Sequence, residues 1–118
     1  MNEQIRVLIA ENGNHSPQSL PTMLAAWPVV SIVGEAGDGE DTLRLVEQQQ
    51  PHVVVISAEL PVLDGIQTTQ IIKALWPSTR VILFARQPGY RSLAREAGAD
   101  AFLSEGFCGD DVMRAMIQ

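Results

Sequence analysis

Cysteine, aromatic residues and positive charge are all scarce in this chain of 118 residues. The single cysteine, Cys108, excludes an internal disulfide, and no histidine or second cysteine stands near it at metal-ligand spacing. Eight lysine and arginine residues against 14 acidic ones give a net charge of −6, which disfavours direct binding to nucleic acid or to an anionic membrane. No apolar run is long enough to cross a membrane, and the N-terminus resembles no signal peptide. We therefore expect a soluble, cytoplasmic protein.

Hydrophobic residues, by contrast, are abundant, and they are grouped in short segments. Hydrophobic residues account for 46% of the chain and are mainly aliphatic, which suits the core of one compact domain. Short apolar segments rich in β-branched residues predict strands over 5–10, 29–34, 53–57, 80–85 and 101–104. The first, third and fourth are continuously apolar, as in strands covered on both faces, whereas the second and the short fifth suit the two edges of a sheet.

Segments of helical period separate these strands. Asp38 is placed to cap a helix that ends before Pro51, and Gly98 is placed to end another. The first helix carries prolines near its start, so we expect it to begin late, near Ser19. The apolar positions predicted to face the sheet include Leu43, Val46, Ile66, Ile71, Ile72, Leu75, Leu93, Ala94 and Ala97.

The alternation of five strands with five helices through short loops predicts an α/β fold. We expect a doubly wound, five-stranded parallel sheet with helices on both faces, in three layers. The expected strand order is 2-1-3-4-5, which places a crevice at the carboxyl ends of the first and third strands. Glu11, Asn12 and Ser57 follow those strands, so we expect them to meet there.

Several segments occur together in a characteristic order and spacing. They are "IRVLIAEN", "SIVGEAGDGEDTL", "PHVVVISAELPVLDGIQTTQIIK", "RVILFA" and "EAGADAFLSEG". With these segments the chain resembles a response-regulator receiver domain, the phosphoaspartate switch of two-component signalling. It is most similar to the kind fused to LuxR-type helix-turn-helix regulators. The resemblance covers essentially the whole chain.

The resemblance implies a pocket in which an acidic pair holds Mg²⁺ and an aspartate accepts a phosphoryl group, while a hydroxyl residue and a lysine contact the phosphate. The matching positions are Glu11 and Asn12 for the acidic pair, Ser57 for the acceptor, Ala85 for the hydroxyl and Glu105 for the lysine. Only Glu11 keeps the required chemistry, because a serine forms no acyl phosphate, Ala85 has no hydroxyl and Glu105 repels a phosphoryl group. We therefore predict a degenerate phosphorylation pocket with no catalytic residue, metal or cofactor.

Each of these positions also has a plainer interpretation. Ser57 can be an ordinary polar residue at a strand end, Glu11 a hydrogen-bonded relic and Glu105 a solvent-facing side chain. Arg86 is the cation near the predicted pocket, and it either pairs with Glu11 or Glu105 or is solvated. Phe102 stands at the position of the family's aromatic switch residue, or is simply a core aromatic.

The last helical segment is more apolar than contact with a sheet requires. Val112, Met113, Met116 and Ile117 cover more than one stripe, so part of this surface can pack against the sheet and part against a partner. Met113 and Met116 are thus candidate interface residues, and receivers of this kind commonly dimerise. We expect a homodimer, through either the fourth and fifth helices or the first and fifth.

The leading hypothesis is an atypical, phosphorylation-independent receiver, or pseudo-receiver. It would act as a signalling or dimerisation module controlling an attached effector, which the resemblance implies to be a DNA-binding transcriptional regulator. DNA would be contacted only through that effector, with no membrane partner. Two alternatives stay open: a pseudo-receiver that senses a small ligand in the vacated pocket, and a stand-alone adaptor for a sensor or regulator protein.

An enzyme finds little support in the sequence. It has no glycine-rich phosphate loop, no nucleophile with its base and no zinc-binding spacing. We expect residues 1–118 to form one domain, either by itself or within a longer protein that carries a C-terminal DNA-binding domain.

Overall fold

The computed structural model describes residues 4–12, 20–104 and 106–117, which form a parallel sheet between two layers of helices. The strands are β1 (Ile5–Ala10), β2 (Val30–Ala36), β3 (Val53–Ser57), β4 (Arg80–Ala85) and β5 (Ala101–Ser104). The helices are α1 (Leu20–Ala25), α2 (Gly39–Gln49), α3 (Gly65–Leu75), α4 (Tyr90–Ala97) and α5 (Gly109–Ile117). The order β2-β1-β3-β4-β5 confirms the predicted topology. Within the described ranges no helix has the length and apolar character that a membrane crossing needs.

The predicted strands agree closely with the observed ones. Four have the predicted bounds, whereas β2 covers 30–36 rather than 29–34. The difference arises from a register shift in the pairing with β1. Val7 pairs with Ile32 but Leu8 pairs with Gly34, so the ladder continues until Ala10 lies opposite Ala36. The two edges of the sheet are β2 and β5, as predicted.

The sheet separates two apolar clusters, because successive residues of a strand point to opposite faces. Leu8, Val54, Ile56 and Leu83 are buried on the face covered by α2, α3 and α4. On the other face, the buried strand residues Val7, Ile9, Val55 and Ile82 pack with Leu24 of α1 and Val112 of α5. Burying a Val, Leu or Ile side chain stabilises a fold by about 1.5–3 kcal/mol, so these alternating runs hold the layers together.

The helix ends follow local capping chemistry. The carboxylate of Asp38 accepts a hydrogen bond from the Asp41 amide at 2.7 Å and caps α2. Asp64 caps α3 in the same way through the Gln67 amide at 2.8 Å. Gly98 ends α4 with a φ of 90°, as predicted. The described part of α1 begins at Leu20, next to the expected start, and Ser19 itself lies outside the described residues.

Two predicted core positions are wrong. Leu75 is 62% exposed and Leu93 is 46% exposed. In α3 the inward stripe is Gly65, Thr68, Thr69 and Ile72, and at the end of the helix Trp76 packs against the core in the place of Leu75. In α4 the buried residues are Ala94 and Ala97, and Leu93 is turned 100° away from Ala94. Hydrophobic periodicity alone missed the inward threonines because it counts only apolar residues.

Two glycines allow the helices to close on the loop that follows β3. A Cβ atom added at Gly65 would lie 1.9 Å from the carbonyl oxygen of Ser57, and one added at Gly39 would lie 2.1 Å from that of Leu63. The Gly65 amide also donates to the carbonyl of Ala58 at 3.1 Å. No side chain fits at either distance, so the loop keeps its path only because both residues are glycine.

We expect Gly65→Ala to lower the free energy of unfolding by about 3 kcal/mol or more, because the methyl group meets backbone atoms that cannot move aside locally. The matched control is Gly37→Ala, since no atom lies within 4 Å of a Cβ added at Gly37. Its effect should stay within about 1 kcal/mol. Urea unfolding of the three proteins measures both changes. Equal losses for the two variants would contradict the close contact at Gly65.

Candidate strand-tip site

A cavity of about 350 Å³ opens where β1, β3 and β4 end. It is lined by Glu11, Asn12, Ser57, Glu59, Phe84, Ala85 and Arg86. These residues come from three sequence regions, and they meet because β3 lies between β1 and β4 in the sheet. The structure thus brings together Glu11, Asn12, Ser57 and Ala85, while Glu105 lies outside the described residues.

Ser57 is the last residue of β3 and is half-buried at the cavity. Its hydroxyl oxygen accepts a hydrogen bond from the Glu59 amide at 3.1 Å, as in a local turn. A serine becomes a nucleophile only with a neighbouring base, and no described lysine or histidine lines the cavity. The arrangement therefore suits a turn-forming serine at the end of a strand.

Two residues of the cavity, Glu59 and Phe84, were not predicted from the sequence. Glu59 is exposed beyond the end of β3 and contributes a second carboxylate beside Glu11. Its position two residues after Ser57 could have signalled it, because alternate residues of an extended chain point the same way. Phe84 pairs with Ser57 in register and contacts Phe107 with ring centroids 5.5 Å apart. The two rings tie the segment after β5 to the tip of β4.

The oxygen donors of this cavity do not fit Mg²⁺ well. Mg²⁺ requires octahedral coordination by hard oxygen ligands, with carboxylates supplying most of the charge in protein sites. Here the strand tips present the Glu11 carboxylate, the neutral Asn12 amide and the Ser57 hydroxyl, with Glu59 further out on the loop. Across the described residues, no group of three or more His, Cys, Asp and Glu side chains could hold a metal ion.

Arg86 is exposed and lines the cavity together with Glu11. The ion pairs that join two described residues lie elsewhere, between Arg44 and Asp41, Lys73 and Asp100, and Arg114 and Asp111. Because Glu105 is not described, a salt bridge that fixes the loop through Arg86 stays a prediction.

Phe102 occupies the middle of β5 and is half-buried. It packs against the apolar cluster on the α2, α3 and α4 face of the sheet. The guanidinium carbon of Arg91 lies 5.2 Å from the centroid of its ring, which is the geometry of a cation–π contact. Phe102 is thus at least a core aromatic, with a cationic neighbour that the sequence gave no reason to expect.

The two methionines of α5 are too buried to form most of an interface. Met116 is only 7% exposed and belongs to the core of the chain, with Val112 and Ala115. Met113 is half-buried in the same cluster. Ile117, by contrast, is 68% exposed. A polar residue at position 116 would therefore disturb the fold, and an interface on α5 is better tested at Ile117.

The sheet order and the strand-tip cavity define a flavodoxin-like α/β domain with a crevice at its topological switch point. The sequence pattern of the response regulator receiver domain matches residues 7–118, and the chain belongs to this family.

Relatives of this chain include proteins that are considerably longer than it. The transcriptional regulatory protein PdtaR of Mycobacterium tuberculosis is 36% identical over 112 residues, covering 94% of this chain and 54% of PdtaR. A protein-glutamate methylesterase/protein-glutamine glutaminase of Moorella thermoacetica is 30% identical over 115 residues, covering 95% of this chain and 27% of that protein. The chain therefore spans from about a quarter to about half of the length of these relatives.

Solved receiver structures superpose well on the fold. The signal receiver domain of the response regulator NarL from M. tuberculosis matches with a TM-score of 0.82 at 25% identity, covering 98% of this chain and 94% of that one. The response regulator domain of Thermotoga maritima CheB matches with a TM-score of 0.83 at 24% identity, covering 97% of each chain.

We expect Mg²⁺ to leave the melting temperature of the wild-type chain unchanged and to raise that of an Asn12→Asp/Ser57→Asp variant. The variant places two further carboxylates beside Glu11, and an ion that binds only the folded state stabilises it. A rise of about 2–5 °C at millimolar Mg²⁺ is the expected scale. Differential scanning calorimetry with and without EDTA measures it, and an equal rise in the wild type would contradict the poor fit of the present donors.

Proposed function

We propose that this chain is a phosphorylation-independent receiver module that acts in the cytoplasm and controls an attached effector without enzymatic activity of its own. The observation that carries the proposal is Ser57 at the tip of β3, whose hydroxyl oxygen accepts the Glu59 amide hydrogen bond at 3.1 Å. A receiver takes up its phosphoryl group on a carboxylate at this place, and a serine hydroxyl is a poor substitute because it forms no acyl phosphate.

The surroundings of Ser57 support the same conclusion. Ala85 ends β4 at the cavity and is buried, and its methyl group offers no hydrogen bond to a phosphate oxygen. The cavity also presents two carboxylates, Glu11 and Glu59, which repel an incoming phosphoryl donor. Arg86 offers one compensating charge at the rim.

The nature of the effector is inferred from a relative. PdtaR is a transcriptional regulatory protein, and this chain matches 54% of its length. Regulation of transcription is therefore the proposed output. The resemblance to receivers fused to LuxR-type regulators favours an attached DNA-binding part, and the net charge of −6 disfavours DNA contact by the receiver itself. A stand-alone adaptor that binds a sensor or regulator protein is the alternative within the same family.

We expect acetyl phosphate with Mg²⁺ to leave the wild-type chain at its unmodified mass. A Ser57→Asp variant should take up very little phosphoryl group, because Asn12, Ala85 and Glu105 still differ from the residues of a working receiver pocket. The positive control is the fourfold variant Asn12→Asp/Ser57→Asp/Ala85→Thr/Glu105→Lys, which should gain one phosphoryl group. Intact-mass spectrometry separates the outcomes, and a stoichiometric adduct on the wild type would overturn the proposal.

A small-ligand sensor is a second candidate, favoured by the size of the strand-tip cavity. Its volume of about 350 Å³ is at the lower end of the range of small-molecule sites. A metabolite that raises the melting temperature of the wild type but not of an Ala85→Leu variant, which narrows the cavity, would favour this role.

Self-association is also part of the proposal, through the α1 and α5 face. Ile117 lies one turn after Met113 on α5, and Met113 packs against the same apolar cluster as Met23 and Trp27 on the side of α1. An exposed isoleucine at the edge of this apolar surface suits an isologous contact between two copies.

We expect the wild type to sediment as a dimer at high concentration, and Ile117→Glu to shift it towards the monomer. Leu75→Glu is the matched control, because Leu75 is similarly exposed but lies on α3, across the sheet from α5. A monomeric wild type, or an equal shift in both variants, would contradict the proposed face.

A further inference from the structure

In three places along the chain a glycine directly follows an aspartate or an asparagine. The pairs are Asn12 with Gly13, Asp38 with Gly39, and Asp64 with Gly65. The backbone nitrogen of a glycine is unusually accessible, because no Cβ atom shields it. That nitrogen can attack the side-chain carbonyl carbon of the preceding residue and close a five-membered succinimide ring. The structure decides which of the three pairs is free to react.

The two aspartates are held out of reaction by their conformation. Ring closure requires the Cβ atom and the following nitrogen to eclipse each other about the bond between Cα and the carbonyl carbon. Asp38 has a ψ of 171° and Asp64 a ψ of 170°, and at these angles the two atoms are staggered. The two carboxylates also cap α2 and α3 by accepting hydrogen bonds from the amides of Asp41 and Gln67. Neither carboxylate can turn towards its glycine without uncapping a helix.

The nitrogen atoms of the two following glycines are engaged as well. Gly39 is buried, and its amide donates to the carbonyl oxygen of Pro61 at 3.5 Å. Gly65 is also buried, and its amide donates to the carbonyl oxygen of Ala58 at 3.1 Å. An amide nitrogen attacks only after it loses its proton, and a hydrogen bond to a carbonyl oxygen retains that proton. Both aspartate–glycine pairs are therefore protected in the folded chain.

Asn12 lacks the side-chain restraint of those two aspartates. It lies two residues beyond the end of β1, is exposed, and lines the strand-tip cavity. Its side chain makes no hydrogen bond to another residue in the described part of the chain. Its neutral carboxamide is also a better electrophile than an ionised carboxylate. Because Gly13 follows in the sequence, no side chain stands beside the attacking nitrogen.

We propose that Asn12 is a deamidation site whose conversion adds a carboxylate to the strand-tip cavity. The Gly13 nitrogen loses its proton and bonds to Cγ of Asn12, the bond between Cγ and Nδ2 breaks, and ammonia leaves with that proton. One water molecule then opens the succinimide at either of its carbonyl carbons. The products are aspartate and isoaspartate, and each carries a carboxylate in place of the amide. The net reaction is the hydrolysis of one amide, with water as the only co-reactant.

The new charge falls inside the cavity rather than on a remote surface. The described lining holds the carboxylates of Glu11 and Glu59 and the guanidinium group of Arg86. A third carboxylate beside Glu11 strengthens the repulsion of anions and the attraction of cations. The aspartate product also supplies an acidic oxygen ligand that position 12 otherwise lacks. This inference goes beyond the proposed function, because it does not depend on whether Ser57 accepts a phosphoryl group.

Peptide mapping by mass spectrometry, after prolonged incubation of the folded chain at neutral and at mildly alkaline pH, tests the proposal. We expect fragment ions to place an amide-to-acid mass change at Asn12, in two chromatographic peaks for aspartate and isoaspartate. The conversion should be faster at the higher pH, because the attacking nitrogen must lose its proton. Asn14, which is followed by His15, is the internal reference and should remain an amide. Asp38 and Asp64 should form isoaspartate only when the chain is unfolded in urea.

Gly13→Ala is the decisive variant, because a methyl group beside the attacking nitrogen hinders ring closure. It should slow the loss of the Asn12 amide about tenfold. The matched control is Gly37→Ala, which should leave the rate unchanged because nothing lies within 4 Å of the added methyl group. A persistent amide at Asn12, equal loss at Asn14, or an unchanged rate in Gly13→Ala would overturn the proposal.

NMR spectroscopy tests the effect on the cavity. Asn12→Asp reproduces the aspartate product without its isomer, and it should shift the amide resonances of Ser57 and Ala85, which line the cavity with residue 12. The incubated wild type should develop the same shifts in proportion to its aspartate content. Unshifted resonances of both residues in Asn12→Asp would show that the new carboxylate lies outside the cavity, contrary to the proposal.

Discussion

The position of Ser57 depends on how closely Gly65 approaches its carbonyl oxygen. The space for a Cβ at Gly65 is already filled, so α3 begins directly against the end of β3. Asp64 then caps α3 through the Gln67 amide, and the Gly65 amide returns a hydrogen bond to Ala58. The loop between β3 and α3 is therefore fixed where it leaves β3, by the contacts of Gly65 with Ser57 and Ala58, and where it enters α3, by the Asp64 cap. The contacts of Gly65 with Ser57 and Ala58 involve backbone atoms only, which explains how the chain can keep the receiver fold while presenting a serine at the tip of the strand.

The sequence predicted most of this fold because its main determinants are local and periodic. Continuous apolar runs located β1, β3 and β4, and Asp38 and Gly98 located helix ends through capping chemistry. The failures have a different origin. Leu75 and Leu93 are exposed because glycine, threonine and alanine face the sheet in α3 and α4, and small or polar side chains are invisible to a hydrophobic pattern. The shift in β2 depends on pairing with β1, which no local pattern contains.

Only part of the lining of the strand-tip cavity could be predicted from the sequence. The strand order alone implied that residues after β1 and β3 meet, so Glu11, Asn12 and Ser57 could be placed together from the sequence. Glu59 and Phe84 were missed because one lies in a loop and the other reads as an ordinary core residue. The Arg91 contact with Phe102 was beyond prediction, because it joins a helix to a strand with no sequence signal for their relative orientation.

The ring of Phe102 lies between the apolar core and a cationic side chain of α4. Phe102 is packed into the core on one side and covered by a guanidinium group on the other, so its ring is stabilised where it lies by contacts that do not involve the strand-tip cavity. Arg91 lies on the exposed surface of α4, so its contact with Phe102 joins this helix to β5. The position of the Phe102 ring is therefore determined by the core and by α4 rather than by groups at the strand tips.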